Sequence, residues 1–166
     1  GVQTCALPIS DMLIDCLIKS KDLSELKEHY VYTFLGKGWD NHVERLNNAG
    51  YETHHIKFAP DYIEEICKHD IQVTPICIGT GTKGKVLDAI ANGLLVVGSW
   101  YALENIAVEH NVSCIQYEEI KDVVKILKKI HLNPSKYEAI AETGRENILQ
   151  KHNGETTSKE LFCLFK

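Results

Sequence analysis

One stretch decides the fold of this 166-residue chain: Ile71-Gln-Val-Thr-Pro-Ile-Cys-Ile-Gly-Thr-Gly-Thr-Lys-Gly-Lys-Val-Leu-Asp-Ala-Ile-Ala-Asn-Gly-Leu-Leu-Val-Val97. Residues 71–74 form a short strand-like run stopped by Pro75, which has no N–H to give to a ladder. Residues 79–84 form a glycine-rich loop, and residues 85–92 carry helical spacing closed by Gly93. Residues 94–97 are a second apolar run of strand length. Strand, loop, helix and strand in that order make a βαβ unit with parallel strands.

The same alternation extends outward in both directions. Met12, Leu13, Cys16 and Leu17 mark one helical face, and Asp22-Leu-Ser-Glu25 reads as the cap of a short second helix. Residues 30–35 are aromatic and β-branched and stop at Gly36-Lys37-Gly38, a strand and its turn. A helix over 41–48 ends at Gly50, and a strand over 54–58 is closed by Ala59-Pro60. The helix over 61–68 is expected to turn Ile63, Ile66 and Cys67 inward. Beyond the central unit come a helix over 103–110, a strand over 114–116, amphipathic helices over 118–129 and 134–150, and a last one over 157–165. Near-continuous apolar strands between helices indicate a parallel sheet covered on both faces. The fold class is α/β, a Rossmann-like parallel sheet.

Composition narrows the function. Hydrophobic residues at 44% and charged residues at 25% are globular values, so disorder and fibrous repeats are excluded. With 18 Lys and Arg against 23 Asp and Glu the net charge is −5, which argues against nucleic acid as a partner. No apolar run is long enough to make a transmembrane segment. The six cysteines include no CxxC pair, and several sit in apolar runs such as Ile76-Cys77-Ile78, so buried thiols in a reducing compartment are expected. His54 and His55 are adjacent on a strand and point to opposite faces, so no metal site is expected.

The N-terminal Gly1-Val-Gln-Thr-Cys-Ala-Leu-Pro-Ile9 resembles the translated read-through of a sequencing-library adapter. Residues 1–10 are therefore expected to be a non-native leader, and residues 11–166 the domain proper. The alternative is a genuine N-terminal segment.

The loop at 79–85 carries the chemistry. It leaves a strand and opens a helix, where converging N–H groups and the helix dipole favour an anion. Glycines let the main chain approach a phosphate closely, and Lys83 and Lys85 add charge. Gly79-x-Gly81-x-x-Gly84 matches a dinucleotide fingerprint, but the next strand ends at Gly98-Ser99 instead of an acid for the ribose. Gly79-x-x-x-x-Gly84-Lys85 approaches a P-loop, but Val86 stands where a magnesium-ligating hydroxyl belongs. A flexible surface turn is the plain alternative.

A longer series accounts for more residues: Ile71 to Pro75, Gly79-Thr80-Gly81-Thr82-Lys83, Lys85-Val-Leu-Asp88-Ala-Ile-Ala-Asn-Gly93, Val96-Val97, and Ala102-Leu-Glu104. This resembles the C-terminal, donor-binding half of GT-B glycosyltransferases of the group 1, family-4-like kind. The resemblance covers about 140 residues and is specific over 75–104. It implies transfer of a sugar from a nucleotide-diphosphate donor to an unidentified acceptor, a glycan or a lipid-linked sugar, in polysaccharide biosynthesis. It places Gly79, Thr80, Gly81, Thr82, Lys83 and Lys85 at the donor diphosphate and Asp88 on the ribose hydroxyls. Glu104, Phe58 and Lys37 are placed near the donor. Each has a plainer reading: Asp88 and the lysines as solvated surface, Glu104 as a helix-terminal charge, Phe58 as core, Lys37 as part of a turn.

The resemblance implies no cofactor, since the nucleotide sugar is a substrate, and no metal. Family members often carry two glutamates eight positions apart; here Thr80 stands where the first would be, which leaves donor sugar and stereochemical outcome open. The acceptor-binding N-terminal domain, the catalytic base and the first strand of the C-terminal domain are expected to lie outside this fragment, which alone is expected to be inactive. The implied location is the bacterial cytoplasm or the inner membrane face. A non-catalytic nucleotide-binding Rossmann module and a GT-B-type nucleotide-sugar epimerase are the alternatives.

Overall fold

The computed structural model describes residues 6–20, 23–79 and 81–152. The expected cap at Asp22, the helix over 157–165, Thr80, Cys5 and Cys163 lie outside the described residues. Helices α1 (Ala6–Lys19) and α2 (Leu23–His29) lead into strand β1 (Val31–Leu35). There follow α3 (Asp40–Asn48), β2 (Glu52–Ile56), α4 (Tyr62–Ile66), β3 (Ile71–Thr74), α5 (Gly84–Ala91) and β4 (Leu95–Ser99). The short α6 (Trp100–Leu103), β5 (Ile115–Tyr117), α7 (Asp122–Leu132) and α8 (Pro134–Lys151) complete the order. Helix α1 runs through the border set at Ser10, which is itself buried.

Every strand pair is parallel, as the crossovers require. Among the described residues the strands are hydrogen-bonded in two parallel ladders, β1–β2 and β3–β4–β5. Apolar character made each segment a strand; which neighbour it takes is a long-range choice that local pattern does not encode.

β4 is buried at all five positions because both of its faces are covered. Side chains alternate across a strand, so Leu95 and Val97 enter one apolar cluster and Val96 enters the other. The first cluster joins β4 to Ile14 and Leu17 of α1, Val123, Leu127 and Ile130 of α7, and Tyr137 and Ile140 of α8. The second packs Val86, Ala89 and Ile90 of α5 with Leu103, Cys114 and Ile148. Polar ties run between layers: Tyr51 donates to the Leu17 carbonyl at 2.8 Å and Tyr30 to that of Leu127 at 2.7 Å. Arg45 forks from α3 onto Asp11, at 2.7 Å, and Asp15 of α1.

Several boundaries and side chains differ from expectation. The helix expected over 103–110 is only α6, one turn earlier: the Ser99 hydroxyl caps its start and Asn105, with φ of 60°, ends it. The helix expected from 118 starts at Asp122, because residues 118–121 make a turn closed by the Asp122 N–H on the Glu119 carbonyl at 2.8 Å. Strand β2 ends at Ile56, two residues before Phe58. In α4 only Ile66 is buried; Ile63 is exposed, and Cys67, also exposed, is the C-cap that ends the helix before it can turn inward. The described cysteines form no disulfide; Cys114 is buried, and burial pushes its thiol up to about 12.

Helix α8 approaches the segment entering β5 at Gly144. A Cβ there would run into the Ser113 carbonyl oxygen, with Ile90 Cγ2 at 3.2 Å. Backbone cannot yield as a side-chain tip can, so Gly144→Ala should lower unfolding free energy by about 1–3 kcal/mol in urea melts. An unchanged midpoint would show that α8 is not seated this closely.

Candidate functional site

Parallel strands of one ladder deliver all their C-terminal ends to the same rim, the usual ligand crevice of open α/β sheets. From the β3–β4–β5 ladder that rim receives residues 75–83, 99–105 and 118–121.

The 75–83 loop is braced at its base. Ser99 at the end of β4 is buried; its hydroxyl donates to the Ile76 carbonyl and accepts from the Ala102 N–H at 3.2 Å. One side chain thus fixes the exit of β3 and starts α6. Tyr117 of β5 donates to the Thr74 carbonyl at 3.3 Å from the far side of β4. Beyond this base the main chain passes through Gly79 and Gly81, whose φ values of 135° and 80° are costly for any residue with a Cβ. Lys83 is extended and precedes α5, so the first N–H groups of α5 lack intrahelical partners, as at every helix start.

The candidate residues are placed unequally. Lys83 folds back: its ammonium donates to the Gly81 carbonyl and lies 3.9 Å from Glu104 Oε2, with the side chain only 11% exposed. That carboxylate oxygen is buried and accepts no hydrogen bond. Thr82 and Lys85 are exposed, and Lys85 Nζ sits 5.7 Å from the Tyr62 ring centroid. Asp88, half-buried one turn into α5, adds its negative charge to burial in raising the Tyr62 phenol above its ordinary value. The structure therefore draws Gly79, Gly81, Lys83 and Glu104 into one cluster, and Lys85, Asp88 and Tyr62 into a second at the start of α5.

Lys37 and Phe58 follow strands of the other ladder, β1 and β2. Lys37 is exposed in the Gly36–Gly38 turn, and Phe58 is 77% exposed, which removes the reading of it as core. No group of three or more His, Cys, Asp or Glu side chains among the described residues is arranged to hold a metal ion.

A cavity of about 350 Å³ opens beside α6, lined by Trp100, Glu104, Asn105, His110 and Gln116 with apolar neighbours beneath. It adjoins the glycine loop through Glu104 but is not lined by it. His110 Nδ1 accepts from the Gln116 N–H at 2.9 Å, so a neutral ring carries its proton on Nε2. Sequence reasoning missed Ser99, Tyr62 and, apart from Glu104, this lining. A serine at a strand end before Trp100-Tyr-Ala could have been read as an N-cap; the others become neighbours only through tertiary packing.

A family model described as glycosyl transferase-like matches residues 18–162. Among solved structures, the C-terminal domain of a glycosyl transferase group 1 family protein (LpcC) from Francisella tularensis superposes with a TM-score of 0.72 at 14% identity, over 92% of this chain and 83% of that one. Anabaena Alr3699/HepE in complex with UDP gives 0.70 at 16% identity, over 93% and 44%. A glycosyltransferase from Rickettsia africae gives 0.67 at 15% identity, over 95% and 43%. The chain thus spans under half the length of the Anabaena and Rickettsia proteins. At these identities the likeness is one of fold, the Rossmann-like C-terminal half of a GT-B architecture. No curated protein matches the chain.

Replacing Ser99 by alanine strips a buried carbonyl and a helix-capping contact of their partner. Ser99→Ala should lower stability by about 1–2 kcal/mol in denaturant melts. A loss within error would mean the two loops are positioned by something other than this hydroxyl.

Proposed function

The chain belongs to the glycosyl transferase-like family, and from that premise we propose that it is the donor-binding half of a GT-B glycosyltransferase. In this reading it holds a nucleoside-diphosphate sugar while a second domain presents the acceptor. The observation that carries it is the loop at 79–85 opening α5, with Lys83 and Lys85 around it and Asp88 one turn on. The donor diphosphate sits against Gly79, Thr80, Gly81 and Thr82, where N–H groups and the positive end of α5 meet its charge.

Sugar transfer breaks the bond between the anomeric carbon and the diphosphate oxygen, and negative charge grows on the departing nucleotide. Preorganised N–H groups and ammonium groups stabilise that charge without reorganising as it forms. In the resting site Glu104 partners the Lys83 ammonium loosely, 3.9 Å away with no hydrogen bond, so an arriving phosphate oxygen can take over the cation. Asp88 accepts from both ribose hydroxyls, a task that suits a carboxylate with several lone pairs. The nucleotide sugar is a substrate, and the proposal uses no cofactor and no metal. It assigns no catalytic base to these residues, and sugar transfer by this stretch alone is not expected.

The Anabaena structures hold UDP in one case and UDP-glucose in the other, which supports a nucleotide-diphosphate sugar as the ligand class. No helix among the described residues is long and apolar enough to cross a membrane. The proposed place of action is the cytoplasm, including the inner membrane face.

Calorimetry with UDP, GDP and NAD tests the reading. A nucleoside diphosphate should bind, and Asp88→Ala should weaken it about 10- to 100-fold, the value of hydrogen bonds to a charged group. Preferential binding of NAD, or diphosphate binding indifferent to Asp88→Ala, would contradict the proposal.

A further inference from the structure

Among the described residues β1 and β3 each have a ladder partner on one side only, and their main-chain directions show how the two ladders are related. The Gly36 N–H donates to the Ile56 carbonyl at the end of β2, at 2.8 Å. Peptide groups alternate between the two edges of a strand, so Tyr32 and Phe34 also turn toward β2, while Val31, Thr33 and Leu35 turn away from it. In the other ladder the Leu95 N–H donates to the Asp70 carbonyl at 2.9 Å. Gln72 and Thr74 therefore face β4, and Ile71 and Val73 face away from it.

Side chains fix the order of the strands. Tyr32 and Phe34 of β1, Ile71 and Val73 of β3, and Leu95 and Val97 of β4 all meet the first apolar cluster, whereas Leu35, Ile76 and Val96 meet the second. The two ladders are thus halves of one layer, covered by the same two clusters. In parallel strands of one layer, residues on the same face send their peptide groups to the same side, because all have one chirality. On the first-cluster face, β1 residues point to β2, β3 residues point away from β4, and Leu95 points to β3. The order across the layer is β2, β1, β3, β4, β5, and the open edges of β1 and β3 face each other. Among the described residues no backbone hydrogen bond joins these edges. Thr33, Leu35, Ile71 and Val73 are only half-buried there, and Val31 is exposed, in a layer whose β4 is buried throughout.

We propose that a slot for one more parallel strand lies between β1 and β3, and that its occupant is an extended apolar segment preceding α1. Helix α3 carries the chain from β1 outward to β2 on the first-cluster face, through Leu46. Parallel crossovers share one hand, so a strand lying inside β1 reaches it through a helix on that same face. Helix α1 lies there, through Ile14 and Leu17, and leads toward β1. Both faces of the slot are bounded by apolar clusters, so its strand is apolar at successive positions. Such a strand pairs β3 on its second edge, just before the chain enters the glycine loop.

Hydrogen exchange of the 166-residue chain, followed amide by amide, tests the slot. The N–H groups of Thr33, Leu35, Ile71 and Val73 should exchange at least about tenfold faster than those of Phe34, Gln72 and Thr74 in the same strands. A strand of alternating valine and isoleucine flanked by lysines, joined ahead of Gly1, should slow the first set about tenfold or more and raise the urea midpoint. The same strand with proline at its centre should do neither, since it cannot complete the ladder. Slow exchange of the first set in the unmodified chain would show the slot closed or filled by the chain itself. Slowing that grows with protein concentration would assign it to a second copy. Either result overturns the proposal, as does an added strand that leaves the first set unchanged or acts equally well when joined after Lys166.

Discussion

Complete burial of β4 is the constraint from which the rest of the structure follows. Leu95 to Ser99 can leave water on both faces only if β3 and β5 satisfy the backbone and helices cover each side. Parallel neighbours need crossovers, and these deliver the strand ends to one rim. There the Ser99 hydroxyl couples the two loops that matter, one through the Ile76 carbonyl and the other through the Ala102 N–H. A glycine-rich loop on a mobile base would be a poor anion site. Here its base is tied to the most buried strand of the ladder.

Electrostatics at the rim follow the same economy. Lys83 is mostly covered, so its ammonium needs partners in the resting protein, and the Gly81 carbonyl and Glu104 provide them. Glu104 Oε2 in turn remains without a hydrogen bond. Neither group is fully satisfied by the other, which leaves both with capacity for a ligand. Asp88 and Lys85 of α5 lie near Tyr62, whereas Lys83, at the N-cap of the same helix, lies near Glu104.

The sequence was most legible where local chemistry decides the outcome. β3 falls on residues 71–74 as expected because Pro75 can end a ladder without help from elsewhere. α5 lies within one residue of its expected limits, bounded by glycines whose conformations are local properties. It was least legible where a remote partner decides. The expected helix over 103–110 gave way to α6 because of a serine that also bonds across to the preceding loop, and because Asn105 is left-handed. The division into two ladders, the exposure of Phe58 and the cavity lining are likewise products of packing. At the site, the glycine loop and its lysines could be read from spacing, whereas the Lys83–Glu104 contact required the folded chain.

The central claim is that the main chain at the start of α5 holds a diphosphate. Amide chemical-shift mapping of the labelled protein, titrated with UDP, GDP and inorganic pyrophosphate, tests it most directly. The account predicts saturable shifts concentrated at the N–H groups of Gly79, Gly81, Thr82, Lys83, Gly84 and Lys85. Shifts that avoid this loop while another surface responds would contradict it.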